Sequence, residues 1–471
     1  MTSPLTEEEL IQLRPLAEER LRDPSLLDWV RKVLALRIVG EAENALLTYL
    51  VCLSSLSETP LSLIIAGPSS SGKSWIAKNV VRFFPRVMNP TRLTPAFLDR
   101  ANADLTGVIF YAVELPGLGN AGSGQVNIML SEGELTLCTI ELDDRGRQVP
   151  TIVRTRGRPV FVTTTVRELV DEQLSTRVLL TSPDCSEAQT ERILARQSLL
   201  HMYPPLPEWT PDELVLRAIP HVLERLPTLI PFAERLGELF PPGEQRARRD
   251  YTKVLTIIAL LTFLHQRQRQ QLQVGGRLFL VSSLADLDNA LRILTPEILN
   301  ATIHGLPKGA FKILEKLQAD SSLTVREIRI LTGLGETTVR RHLEALMERG
   351  FALKDDSTRA HTYSRTGKNL EESTNLRMVL QWNRFGEEEP EKWSVDDTCT
   401  NSPERSVSSD PDVDCLWQDY EADALRMRRL LQCGGTKPLS ELDSQAQPPE
   451  STIPKMVPSM TRKIEKMRAD D

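Results

Sequence analysis

The chain has 471 residues, of which 40% are hydrophobic and 26% charged, with a formal net charge of -7. That length exceeds one ordinary core and implies two or three domains, no apolar run approaches the roughly 20 residues that span a bilayer, and the acidic balance excludes a chain that coats nucleic acid with its whole surface, leaving local basic patches for that role. The acidic first residues lack the basic and apolar regions of a signal peptide, and Cys52, Cys138, Cys185, Cys399, Cys415 and Cys433 form no CxxC pair or Cys/His cluster, so a cytoplasmic address, reduced thiols, no membrane segment and no zinc are expected.

Residues 1–57 carry helical apolar spacing, as in Leu10, Leu13 and Leu16 and then Ala45, Leu46, Tyr49 and Leu50, which predicts a helical leader. Across 58–200 short β-rich runs at 61–66, 108–113, 135–140, 151–153 and 159–163 alternate with helical patterns, the signature of an α/β core with a parallel-rich sheet. Residues 201–300 read as helical again, with an apolar stretch at 254–264 beside a polar run at 265–273, and predict a helical lid and connector. A compact helix and hairpin unit follows at 306–370. From 371 to 471 Ser, Asp, Glu and Pro dominate, a composition that predicts a mostly disordered tail.

The strongest chemical signal is Gly67-Pro68-Ser69-Ser70-Ser71-Gly72-Lys73-Ser74, between an apolar strand candidate and a helical pattern. Gly67 and Gly72 permit the tight turn in which successive backbone N–H groups and a helix N-terminus surround a phosphate. Lys73 is positioned for β/γ-phosphate charge and the Ser74 hydroxyl for Mg²⁺, which makes ATP and Mg²⁺ the expected cofactors of this P-loop. A plain Gly/Ser-rich turn is the bland alternative, disfavoured because every fixed position and both flanks agree. The second strand candidate ends in Glu114, the place for a carboxylate that orients an attacking water. Many P-loop ATPases carry Asp immediately before that Glu, whereas this chain has Val113. Slow hydrolysis and nucleotide sensing without turnover both remain open readings. The Gly-rich run after Glu114 reads as a loop.

The segments Ser131-Glu132-Gly133-Glu134-Leu135, Arg158-Pro159-Val160-Phe161-Val162-Thr163-Thr164-Thr165 and Leu174-Ser175-Thr176-Arg177 follow in an order that resembles the AAA+ ATPases, in the clade of MCM-type helicases, magnesium chelatases and enhancer-binding activators. With Thr94-Pro95, Leu98 and Arg248-Arg249-Asp250, the chain resembles still more the helicase-like ATPase part of primase–helicase proteins of bacterial mobile elements, over about 39–264. The resemblance implies that Thr165 is a sensor of the γ-phosphate or attacking water, that Arg177 is an arginine finger offered to a neighbouring subunit, and that Arg249, or its neighbour Arg248, is a second sensor in the lid. It further implies a homo-oligomer, usually a hexameric ring, and a hairpin facing DNA, with Arg145, Arg147, Arg154, Arg156 and Arg158 as contacts. An ordinary solvated hairpin is the alternative for these arginines.

Toward the C-terminus, 307–317 reads as a helix, 323–334 as a helix capped by Thr324 and ended by Gly333, and 336–350 as a second helix whose Val339, Leu343 and Leu346 face a small core. The pairing of 351–353 with 361–364 would give a wing. This net-positive unit resembles a winged helix-turn-helix, with Thr337, Thr338, Arg340 and Arg341 facing DNA and Arg359 supporting them from the wing. A subunit-docking role is the alternative. The combined expectation is an ATP-dependent, oligomeric, helicase-like replication or DNA-remodelling ATPase, against an ATP-responsive transcription regulator or a non-hydrolysing nucleotide-gated scaffold.

Overall fold

The computed structural model describes residues 4–90, 93–112, 123–142, 148–166, 172–202, 206–238, 247–274, 276–294, 298, 306, 308–318, 321–355 and 361–367. The expectation for 371–471 lies outside the described residues.

Helices α1 (Glu7–Arg22), α2 (Leu26–Ala35) and α3 (Ala42–Leu53) open the chain. The Thr6 hydroxyl accepts the Glu9 N–H at 3.2 Å while the Glu9 carboxylate accepts the Thr6 N–H at 2.8 Å, a capping box that starts α1. α3 is buried on every side from Ala45 to Leu53, and a helix apolar all round must sit inside a core. Its side chains belong to the same hydrophobic cluster as one face of the central sheet, so the leader is an integral layer of the core.

The next elements are β1 (Leu63–Ala66), α4 (Lys73–Val81), β2 (Val87–Met88), α5 (Pro95–Arg100), β3 (Ile109–Ala112), α6 (Ser123–Ser131), β4 (Glu134–Leu142), β5 (Gln148–Arg156), β6 (Val160–Thr165), α7 (Glu172–Ser175) and β7 (Leu179–Thr181). Five strands form a sheet in the order β2-β3-β6-β1-β7, with every neighbouring pair parallel. β1 lies between β6 and β7, with Leu63 opposite both Val162 and Leu179. Side chains alternate between faces as a strand's period of two requires. Leu63, Ile65, Ile109, Tyr111, Val160, Val162 and Leu179 join the cluster that holds α3. Ile64, Phe110, Phe161 and Leu180 join a second cluster under α5 and α6. Burial on both faces explains why these strands read as continuous apolar runs. β4 and β5 leave this sheet and pair with each other as an antiparallel ribbon, from Glu134 opposite Arg156 to Leu142 opposite Gln148, and Arg156 at the ribbon base also bridges Asp104 in parallel.

After α8 (Glu187–Met202), which closes the 58–200 segment, the region predicted as a helical lid contains α9 (Pro211–Val222), α10 (Ala233–Glu238), α11 (Ala247–Leu264) and α12 (Leu284–Ile293). It also holds a three-stranded sheet, β8 (Thr228–Leu229), β9 (Gln271–Val274) and β10 (Arg277–Val281), in the order β8-β10-β9. The purely helical reading of 201–300 is therefore corrected: the polar run at 265–273 ends in a strand whose hairpin turns at Gly276, at φ +78°. Arg267 reaches back to Glu18 of α1 at 2.9 and 3.0 Å. Arg269 makes a bidentate pair with buried Asp286 at 2.6 and 2.7 Å, and Thr262 and Ser283 donate to the same carboxylate.

A separate hydrophobic core follows, built by α13 (Lys308–Lys316), β11 (Leu323–Thr324), α14 (Val325–Thr332), α15 (Glu336–Glu348), β12 (Ala352–Asp355) and β13 (Thr362–Arg365). The strands lie in the order β11-β13-β12, all antiparallel, so the predicted two-stranded wing gains a third strand from the residues before α14.

Burial tends to raise the Asp286 pKa, but the Arg269 and Ser283 hydrogen bonds hold it below the ordinary aspartate value. Because the folded value is depressed, its stabilising contribution is complete above the unfolded pKa of about 3.9 and is lost as pH falls through the folded one. Replacing Asp286→Ala leaves Arg269 buried without its carboxylate and costs about 3–5 kcal/mol. The expected readout is a lowered urea midpoint at neutral pH, with the gap to wild type closing in strong acid.

Candidate functional site

β1 ends at the sheet's carboxyl edge, where the Gly67 N–H donates to the Thr165 carbonyl at 3.1 Å and extends the β1–β6 pairing by one residue. The chain then turns through Ser70 at φ +63° and Gly72 at φ +87° before α4 begins at Lys73. The glycine at position 72 is needed because a side chain disfavours that left-handed backbone. At Gly67 a Cβ would come within 3.4 Å of both Pro183 Cδ and Ser71 Oγ, so the loop is closely wrapped from the β7 side. No side chain caps the first turn of α4, whose N–H groups and positive dipole end face the loop. This is a cradle of anion-binding chemistry, and a phosphate fits its donor set.

Lys73 is only 7% exposed, and its ammonium donates to the Pro68 carbonyl and to Ser71 Oγ at 3.3 Å. Burial pushes its pKa below the ordinary lysine value; phosphate charge acts in the opposite direction. Ser74 Oγ lies 3.5 Å from Thr164 Oγ1, and the Ser74 carbonyl accepts the Tyr111 hydroxyl at 3.4 Å. Loop, β3 and β6 thus converge on Ser74. Thr165, the predicted sensor, is buried at the end of β6 and contributes its carbonyl to Gly67. The hydroxyl beside Ser74 is that of Thr164, because adjacent residues of a strand face opposite sides. Thr163 Oγ1 donates to the Ala112 carbonyl at 2.7 Å and locks β3 against β6 where β3 leaves the sheet. Val113 and Glu114, the next two residues, lie outside the described residues.

The motifs at 174–177 and 248–250 meet in space. Arg249 Nη1 donates to Thr176 Oγ1 at 2.7 Å, and Lys253, in a buried pair with Asp250 at 2.9 Å, reaches the Ser175 carbonyl at 3.4 Å. Arg177 is oriented by Ser131 Oγ at 2.7 Å and the Gln173 carbonyl at 2.6 Å. Ser131 ends α6 at the base of the ribbon, and its carbonyl accepts Arg158 Nη2 at 2.6 Å. α11, the short α7 turn and the ribbon base therefore form one hydrogen-bonded chain. Arg154 and Arg156 lie on one face of the ribbon with exposed Ile152, Arg156 3.6 Å from Glu134. Arg145 and Arg147 are outside the described residues.

Sequence patterns gave no sign of the supports around the loop. Glu41 Oε1 accepts the Asp184 N–H at 2.7 Å, and Asn44 Nδ2 donates to Glu41 Oε2 at 2.7 Å and to the Ser182 carbonyl at 3.1 Å. These two residues at the start of α3 hold the segment that carries Pro183 against Gly67. They were not detectable because their partners after β7 lie more than a hundred residues away.

In the C-terminal unit, Thr324 and Glu327 form the capping box of α14, and Gly333 closes it at φ +72°. Gly335 then leads into α15. Thr337 and Arg340 are exposed on α15, whereas Thr338 and Arg341 are half-buried. Both Arg340 Nε and Nη2 donate to Glu336 Oε1, at 3.2 and 2.8 Å, an i, i+4 pair on the face that sequence assigns to DNA. Arg359 is outside the described residues.

Among the described residues no helix is long and apolar enough to cross a membrane, and no group of three or more His, Cys, Asp or Glu is placed to hold a metal ion. Residues 310–351 match a family described as winged helix-turn-helix DNA-binding. No curated protein matches the chain. The match covers α14, the turn and α15 and supports DNA interaction through this unit.

Opposite effects are expected from the two ends of the surface pair. Arg340→Ala with Arg341→Ala weakens DNA binding and flattens its dependence on salt, by about one unit of logarithmic slope for each phosphate that the helix no longer neutralises. Glu336→Gln removes a competing acid and tightens binding. Equal affinity of wild type and both variants across a salt series would instead favour a protein-docking role for α15.

Proposed function

We propose that this protein is an ATP-dependent, oligomeric, DNA-acting ATPase, a helicase-like replication or remodelling factor in which the winged unit engages DNA. The carrying observation is the convergence of the loop 67–74 with β6 at the carboxyl edge of a fully parallel sheet, through Gly67 to Thr165 and Ser74 to Thr164. Crevices at that edge are where open α/β sheets bind ligands.

Mg-ATP, when bound, supplies the phosphoryl group and the charge that these residues answer. On this reading the backbone of 67–74 wraps phosphate, Lys73 neutralises it, and the Ser74 hydroxyl takes a place on Mg²⁺. Glu114 orients the attacking water, with the Thr164 and Thr165 end of β6 alongside. Arg177, steadied by Ser131 and Gln173, is offered across a subunit boundary of a homo-oligomer such as a hexameric ring. Arg249 belongs to the lid and senses the nucleotide through its tie to Thr176. Arg154, Arg156 and Arg158 at the ribbon give a second basic surface for DNA.

A regulator reading is supported by a different observation: residues 310–351 match a DNA-binding family, and such a module serves equally well in a transcription factor whose assembly responds to ATP. Val113, where many hydrolysing members of the resembled family carry Asp, supports a non-hydrolysing scaffold.

Steady-state phosphate release from Mg-ATP, with and without single- and double-stranded DNA, separates these readings. The motor predicts DNA-stimulated release that disappears in Lys73→Ala. Arg177→Ala retains ATP binding but loses about a thousandfold or more in turnover, as expected for a finger. Tight ATP binding without release would move the assignment to the regulator or scaffold, and equal turnover in Arg177→Ala would remove that residue from the mechanism.

A further inference from the structure

Trp75 follows Lys73 and Ser74 in the first turn of α4 and is 57% exposed. Its indole is nevertheless fixed: Nε1–H donates to the Arg37 carbonyl at 2.7 Å, in the turn between α2 and α3. Two neighbouring carbonyls of that turn are held by α8, Leu36 by Arg196 Nη2 at 2.9 Å and Val39 by Gln189 Nε2 at 2.6 Å. The turn at 36–40 is thereby clamped between the phosphate-loop helix and α8, with a large aromatic surface held open beside it. Side chains of a helix tilt toward its N-terminus, so a first-turn indole leans toward the loop end of α4. An aromatic ring that is oriented by its polar edge and open on its apolar surface has the form of a stacking platform.

We infer that Trp75 is a nucleoside platform: its indole stacks on the base of a nucleotide whose phosphates occupy the loop 67–74, so that the site selects nucleoside triphosphates over bare polyphosphate. This rests on the phosphate-loop reading above. Every base presents a π face, so the platform itself adds affinity without discriminating strongly between purines. Selection of one purine would fall to polar groups elsewhere.

The test is equilibrium binding of Mg-ATP, Mg-GTP and Mg-tripolyphosphate to the full-length protein as wild type, Trp75→Phe, Trp75→Ala and Lys73→Ala. Trp75→Ala should bind ATP and GTP about tenfold more weakly, the loss of one base–aromatic stack, while Trp75→Phe keeps most of the affinity. Tripolyphosphate should bind wild type and both Trp75 variants equally. In parallel, ATP should quench more indole emission in wild type than in Trp75→Phe, and tripolyphosphate should not. This comparison decides the matter without the alanine variant if that variant fails to fold. Unchanged ATP affinity in Trp75→Ala, or equal loss for ATP and tripolyphosphate, overturns the platform. Weaker single-stranded DNA binding with unchanged ATP binding also overturns it, and assigns the indole to nucleic acid. Failure of the phosphate loop itself looks different: wild type binds neither ligand, or Lys73→Ala binds both as well as wild type, and the platform then falls with the loop.

Discussion

The fold depends on the pairing of β1 with β6. Because both strands run the same way as their neighbours, all five carboxyl ends reach one edge, and every loop that leaves that edge is brought together there. One backbone hydrogen bond past the last strand residue, from Gly67 to Thr165, fixes where the loop 67–72 departs. The alternation of side chains then does two jobs at once. It sends Leu63 and Ile65 into the core around α3, and it sends Ile64 into the core under α5 and α6. A one-residue slip of β1 would exchange both sets and move the loop away from Ser74's partner on β6.

The edge is reinforced by polar ties that link elements far apart in the chain. Thr163 to Ala112 secures β3, Tyr111 to Ser74 secures the start of α4, and Glu41 with Asn44 secures the segment after β7. From α11, Arg249 and Lys253 hold the short turn that carries Arg177, and Arg177 in turn holds Ser131. A displacement of α11 therefore has a direct mechanical route to the base of the β4–β5 ribbon.

The C-terminal unit is organised on different terms. Its core is small and includes Ile328, Val339, Leu343, Phe351 and Tyr363. Arg340 is already paired with Glu336, so phosphate binding there would be an exchange of partners. An exposed i, i+4 pair adds little to stability, so the exchange would cost little and a chain that is acidic overall can still present a basic helix.

Local features were legible in the sequence wherever the physical requirement is itself local. The Gly67 to Ser74 spacing, the capping box at Thr324 and Glu327 with the αL stop at Gly333, and the core positions of α15 needed only nearby residues. Short strands were not legible: β7 has three residues, β8 has two, and β9 emerges from a polar run, so their identity comes from partners supplied by distant chain. Which hydroxyl of Thr163, Thr164 and Thr165 faces Ser74 was decided by strand phase. The partners of Arg177, the clamp on Trp75 and the hold of Glu41 on Asp184 were likewise decided by tertiary structure. The sequence by itself determined the glycine-bounded turn before α4 and the helix-turn-helix, because backbone geometry over a few residues dictates both; only the tertiary structure decided what surrounds them, because hydrogen bonds between distant parts of the chain leave no periodicity to read.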